Sequence, residues 1–170
     1  MKGAKSDSRL TVVIVQPCFF PWRGQFDLFS RAEVKIFLDD VQFSRGSWYN
    51  RNKIMTESGP AWITVPVRQK GSMQTLIKDM PISQTEDWQE KILGQIYSAY
   101  RKSPFFKLYY ESLAELIGRD WQCISDLSRA SVRWGFERLD RPAEFLTASE
   151  MGVDPQNRVE RLVSFCTAVG

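Results

Sequence analysis

The 170-residue chain contains no histidine. A His general base, an imidazole-based catalytic triad and His-ligated zinc are therefore excluded. Cysteine is scarce. Cys18, Cys123 and Cys166 are odd in number, far apart and form no C-x-x-C pair. That usage fits reduced thiols in a cytosolic protein, not a disulfide framework. No apolar run approaches the length of a membrane span. The polar opening "MKGAKSDSRL" lacks the apolar stretch of a signal peptide. Strong charge of one sign is also missing. The net charge is +3, and Lys and Arg are interleaved with acids along the chain, so nucleic acid is not the expected partner. The expected setting is soluble and cytoplasmic.

Core-forming residues are plentiful. At 43% hydrophobic and 13% aromatic, the chain can build one domain. Residues 1–10 read as a disordered tail and 11–170 as a single α/β domain. "TVVIV" (11–15) is β-branched and apolar on both faces, as in a buried parallel strand. Pro17 and Pro21 then impose an extended loop. "GQFDLFSRA" reads as a short helix with Phe26, Phe29 and Ala32, or Leu28 and Ala32, on one face, and "VKIFL" (34–38) as a second buried strand. A strand, a crossover helix and a strand form a right-handed unit with parallel strands. The loops starting at Gln16 and Asp39 are then expected at one edge of the sheet, where open α/β sheets bind ligands.

Further on, "YNRNKIMTESGPAWITVPV" reads as a hairpin turning at Ser58-Gly59-Pro60, and "LIKDMPI" as a short strand. Ser83 and Glu86 have capping-box spacing ahead of a helix with Trp88, Ile92, Ile96 and Tyr100 inward. Ser103 with Pro104 predicts the start of a second helix, with a stripe of Phe105, Tyr109, Leu113 and Leu116 and a stop at Gly118. Ile124, Leu127, Ser131, Gly135 and Leu139 mark a third. "EFLTAS" is expected to return as a strand. Asp154-Pro155 is expected to cap a last helix with Val159, Leu162, Val163 and Cys166 inward. The fold class is α/β: a mostly parallel sheet with a short crossover helix, an added hairpin and a helix-rich C-terminal half. The chain stops directly after a helix, where an alternating fold commonly adds a strand, so a truncated chain is expected.

Chemistry concentrates in two stretches. Asp39 and Asp40 fall at the end of the second strand, where a carboxylate can act as general base or hold a Mg²⁺ that bridges phosphates. The alternative is a solvated turn or a helix cap. Gln16 can bond a sugar hydroxyl or a base edge, Trp22 offers a flat face or closes the core, and Gly24 permits close approach or starts the helix. In "NRNK", Arg51 and Lys53 share one strand face and Asn50 and Asn52 the other. Arg grips phosphate bidentately and Lys adds a point charge; the alternative is a solvated edge strand. Gln42 joins the candidate substrate contacts, and Ser44-Arg45-Gly46-Ser47 is a candidate lid. Cys18 lies at the same edge without a His base to activate it. Cys123 and Cys166 read as core, and Arg158 and Arg161 as a solvated face. Neither G-x-G-x-x-G nor G-x-x-x-x-G-K-[ST] occurs.

The strings "VQPCFFPWRGQFDLFSRAEVKIFLDDVQFSRGSWYNRNKI", "WITVPV", "YRKSPFF" and "NRVERLVSFCTAVG" resemble the WbqC-like family of bacterial proteins. The likeness begins near Thr11, is specific in the first part and looser in the helical half. The resemblance implies a place among gene clusters for lipopolysaccharide O-antigen and other surface glycans, and hence work on a nucleotide-linked or lipid-linked sugar. Three departures stand out. Val15 occupies the place of a usual histidine, Cys18 that of a frequent asparagine, and members usually continue past this chain's last residue. The leading expectation is a transferase acting on an activated sugar, with Asp39, Asp40 and Gln16 catalytic and Trp22, Gly24, Gln42, Asn50, Arg51, Asn52 and Lys53 substrate-binding; nucleotidyl transfer is a variant of it. The competing classes are a non-catalytic sugar-nucleotide-binding or scaffold module, and an RNA-binding module with Trp and Tyr as stacking platforms.

Overall fold

A computed structural model describes residues 10–68, 75–84, 87–153 and 157–170. It is a mixed α/β fold. Strand β1 (Val12–Val15) leads through helix α1 (Arg23–Ser30) into strand β2 (Val34–Phe37). The two strands pair in parallel from Val12↔Val34 to Val15↔Phe37. The apolar runs need cover on both sides, and helices supply it. On one face Phe29 of α1 meets Phe37 edge-on at 5.8 Å, with Phe136, Phe145 and Val132 around them. On the other face Ile36 packs with Ala148 and Phe165.

An antiparallel hairpin follows, of β3 (Arg51–Thr56) and β4 (Gly59–Thr64). Its inner residues Ile54 and Ile63, with Val65 just beyond, enter the largest core cluster. Helix α2 (Trp88–Tyr100) contributes Trp88, Ile92 and Ile96 to that core, helix α3 (Phe106–Ile117) Ile117, and helix α4 (Ile124–Arg138) Ile124 and Leu127. The short strand β5 (Leu146–Thr147) returns parallel to β2, so the sheet order is β1-β2-β5. Helix α5 (Arg158–Val169) closes the described chain.

Local expectations fail where tertiary contacts outvote them. The hairpin turns at Glu57-Ser58, one residue early, because Gly59 takes φ 111° and Pro60 already pairs with Met55. "LIKDMPI" forms no regular strand: a 3-10 turn at Ile77–Asp79 is flanked by isolated bridges of Leu76 to Gln42, Pro81 to Cys123 and Ile82 to Val67. The N–H groups of Ile77 and Lys78 reach back to the carbonyls of Val41 and Asp39 while Ile77 and Met80 are buried. α3 starts at Phe106, not after Ser103. Phe106 stacks on Tyr110 at 4.5 Å and meets Tyr97 of α2, which rotates the stripe and leaves Phe105 exposed.

The largest correction is α5. Val159, Leu162, Val163 and Cys166 face outward, with Val159 69% exposed. The inward stripe is Arg161, Phe165 and Val169, set by an ion pair and by Phe165 against the sheet. Arg161 is therefore not on a solvated face. The cap of α5 is Asn157, whose side chain accepts from the N–H groups of Val159 and Glu160. The expected caps Glu86 and Asp154-Pro155, and residues 1–9 of the expected tail, lie outside the described residues. Leu139 is exposed, unlike the rest of its α4 stripe. Cys166 is exposed, and Cys123 is half-buried at the start of α4.

Gly135 tests how tightly α1 and α4 meet. A Cβ there would lie 2.5 Å from the Phe26 ring. Gly135→Ala is expected to cost ~1–3 kcal/mol by overpacking, and Phe26→Leu in the same chain to recover part of it. Urea unfolding of the two variants checks this.

Candidate functional site

The parallel pairing delivers two loops to one rim. The N–H of Leu38 donates to the carbonyl of Val15 at 3.0 Å, so Gln16 and Asp39 leave the sheet side by side. The third parallel strand ends there too, which adds Thr147, Ala148, Ser149 and Glu150. Reading the same edge rule past "EFLTAS" is the signal that would have found these last residues.

Asp39 is buried. One carboxylate oxygen accepts the N–H of Ser149 at 3.1 Å and the other its hydroxyl at 2.8 Å. It caps the turn Ala148–Glu150 across 110 residues of sequence. Asp40 turns elsewhere and pairs with Arg161, both side chains about 15% exposed. Beside them the guanidinium of Arg129 joins Asp126 (2.5 Å), the Thr147 hydroxyl (2.8 Å) and Glu150 (3.2 Å). Burial would lower its pKa, but the hydrogen bonds it donates to Asp126 and Glu150 raise it. Arg133 is lowered, first by burial and then by the Arg129 charge. The rim is thus a knot of ion pairs in which Asp40 Oδ1 and the Nε atoms of Arg129 and Arg161 are buried without a hydrogen-bond partner. Asp39 has no free oxygen, and the Asp40 oxygen not facing Arg161 is buried. Among the described residues no group of three or more His, Cys, Asp or Glu is placed to hold a metal.

The first loop links this rim to the hairpin. The N–H of Phe19 donates to the carbonyl of Trp48 at 3.1 Å, and the Asn52 side chain donates to the carbonyl of Phe20. Phe20 has φ 43°, a conformation that costs an ordinary residue ~1–2 kcal/mol. Its N–H donates to Ser131 of α4 and its ring meets Phe19 and Trp134, which together hold it there. Trp22 is 68% exposed at the start of α1. A Cβ on Gly24 would lie 1.9 Å from the Trp22 ring, so Gly24 is what lets the indole lie flat over the first turn.

On the hairpin, Arg51, Lys53 and Met55 point outward and Ile54 inward. Asn50 is buried and donates to the carbonyl of Val65 at 2.8 Å. Asn52 is held by Phe20, and Gln42 is exposed and bridged to Leu76. Arg51 lies 4.2 Å and Lys53 4.9 Å from the centre of the Trp62 ring. Trp48 tilts against Trp62 at 5.2 Å, and the two rings are 49% and 39% exposed. Arg51 also donates to the carbonyl of Gly46 and so holds the 44–47 loop. Next to that loop a cavity of about 570 Å³ is bordered by Arg45, Gly46, Asn50 and Arg68. The sequence reading grouped Arg51 with Lys53 but missed Trp48 and Trp62 as their partners. A cross-strand reading of Lys53 opposite Trp62 would have found the second.

Two outcomes test this geometry. Asp40→Asn is expected to cost ~2–3 kcal/mol, below the ~3–5 of a fully buried pair because water reaches both groups. Asp40→Asn with Arg161→Met is expected to cost less than the sum, by denaturant unfolding of the four-member cycle. Burial pushes the Cys18 thiol up to about 11, so it is protonated at neutral pH. Iodoacetamide at pH 7.5 is expected to modify exposed Cys166 first and Cys18 last, followed by mass spectrometry.

Comparison with known proteins sets this arrangement in context. The uncharacterized protein Rv1507c of Mycobacterium tuberculosis is 46% identical over 77 residues, covering 45% of this chain and 33% of the relative, so the matched part spans about a third of that protein. No solved structure matches the chain. Among the described residues no helix is long and apolar enough to cross a membrane. The model of the WbqC-like protein family matches residues 16–170, nearly the whole chain, and the protein belongs to that family.

Proposed function

We propose that the protein acts in the cytoplasm on a nucleotide-linked or other activated sugar for cell-surface polysaccharide, including lipopolysaccharide O-antigen, as a transferase. One observation carries the reading: two cations, Arg51 and Lys53, sit over the exposed ring of Trp62 with Trp48 beside it. Cations grip a diphosphate, and an exposed indole stacks on a sugar or base. Arg45 and Arg68, at the cavity beyond the 44–47 loop, add positive charge within the same region. Gln16 and Trp22, on the loop bonded to the hairpin, supply polar and stacking contacts toward the acceptor.

A specific observation favours a second reading. Asp39 and Asp40 are both engaged in tertiary ties, and Cys18 is held as a thiol. A platform beside carboxylates that are tied into the fold fits a sugar-nucleotide-binding or scaffold module. In either case the hairpin binds, and the difference lies in turnover.

Arg51→Ala is expected to weaken binding of a responding UDP-, GDP- or dTDP-sugar about tenfold, roughly 1.4 kcal/mol, with Trp62→Ala similar. Calorimetric titration checks it; affinity unchanged in both variants sinks the platform. Product formation from the bound donor selects the transferase, and its absence the binding module. Salt-sensitive RNA binding without any sugar-nucleotide response would replace both.

A further inference from the structure

A second cavity, of about 700 Å³, lies between α1 and α4 with an edge from α3. That is the size of a small-molecule site. Its floor is apolar: the rings of Phe26 and Trp134 and the bare backbone of Gly135. The Trp134 wall is fixed, because its indole N–H donates to the Ser112 hydroxyl at 3.2 Å and its ring meets Phe20 edge-on. Leu139 is 57% exposed, an apolar side chain at the open side of the cavity.

Three arginines stand around this floor: Arg23 on α1, and Arg138 and Arg141 at the end of α4. None of their guanidinium groups has a hydrogen bond or ion pair to a described residue. The one acid lining the cavity, Asp27, is taken by Arg31 at 2.9 Å. Helix dipoles do not account for the set. Arg138 suits the C-terminal end of α4, but Arg23 is the first residue of α1, where a cation is disfavoured. Three exposed cations that no described residue pairs with thus border a hydrophobic floor, an arrangement complementary to an anion with an apolar body.

We infer that this cavity binds a small amphipathic anion, a phosphate or carboxylate head on an apolar body. The head takes charge-assisted hydrogen bonds from the arginines, and the body covers Phe26, Trp134 and Leu139. A free inorganic anion would leave the floor wet, and an uncharged alcohol would leave the cations unanswered. The site is separate from the hairpin platform, since it shares none of Trp48, Arg51, Lys53 or Trp62.

The test is calorimetric titration of the 170-residue chain with octyl phosphate, octanoate, octanol and inorganic phosphate, each below its aggregation concentration. At least one of the first two is expected to bind tenfold or more tightly than both octanol and inorganic phosphate. Leu139→Glu, and Arg138→Ala with Arg141→Ala, are each expected to weaken it tenfold or more, and Arg51→Ala to leave it unchanged. No binding of either amphiphile overturns the site, as does equal binding of octanol or of inorganic phosphate. Insensitivity to both rim variants, or loss in Arg51→Ala, overturns it as well. Thermal melting monitors folding of the variants. Should a rim variant melt early, the comparison of amphiphile with octanol on the unmodified chain decides alone.

Discussion

The last rung of the β1–β2 ladder, from the N–H of Leu38 to the carbonyl of Val15, governs what the rest of the molecule can do. It forces the chain to leave both strands at the same edge. The Gln16 loop and the Asp39-Asp40 pair then share a rim, and the returning β5 brings Ser149 and Glu150 to it. A register slip of one residue would exchange the two faces of β2. Phe37 would face the α5 side and Ile36 the α1–α4 side, and both aromatic packing and the Asp39 cap would be lost.

The two neighbouring aspartates show what pairing does to chemistry. They look like one acidic unit in the sequence. In the fold they diverge: Asp39 ends in a cap on Ser149, and Asp40 in a pair with Arg161 on α5. Each ties a late segment of the chain back onto the end of β2. Burial of a carboxylate requires such partners; both oxygens of Asp39 have one, while Asp40 keeps one buried oxygen without a partner. The rim thereby becomes the structural seam between the two halves of the chain.

Periodicity made much of this legible. The four-residue rhythm of Trp88, Ile92 and Ile96, the β-branched run of β1 and the apolar 34–38 segment each point to one structure, and the packing agrees. The parallel unit and its shared edge followed from connectivity alone. What stayed hidden depends on partners far along the chain. α5 carries two stripes of comparable pattern, and the more apolar one faces out because Arg161 finds Asp40. Asp39 could not be assigned without Ser149, which lies 110 residues away. Trp22 offered two roles in the sequence, and only its exposure over Gly24 separates them. The grouping of Arg51 with Lys53 was local, set by strand alternation, but the rings beneath them came from the opposite strand.

The cations divide in the same way as the acids. Arg129 spends its donors on Asp126, Thr147 and Glu150, and Arg161 faces Asp40. Such groups hold elements together, and the Nε of each is buried without a hydrogen-bond partner. Lys53 rests against the face of Trp62, and a ring face takes no classical hydrogen bond from the ammonium. Arg51 gives one bond to Gly46 and stacks through its plane. These two side chains stand on the outward face of the hairpin, whereas the terminal nitrogens of Arg129 and Arg161 already face carboxylates. Of the two clusters it is the rim whose cations already face carboxylates, which is why the proposed anion contacts are placed on the hairpin.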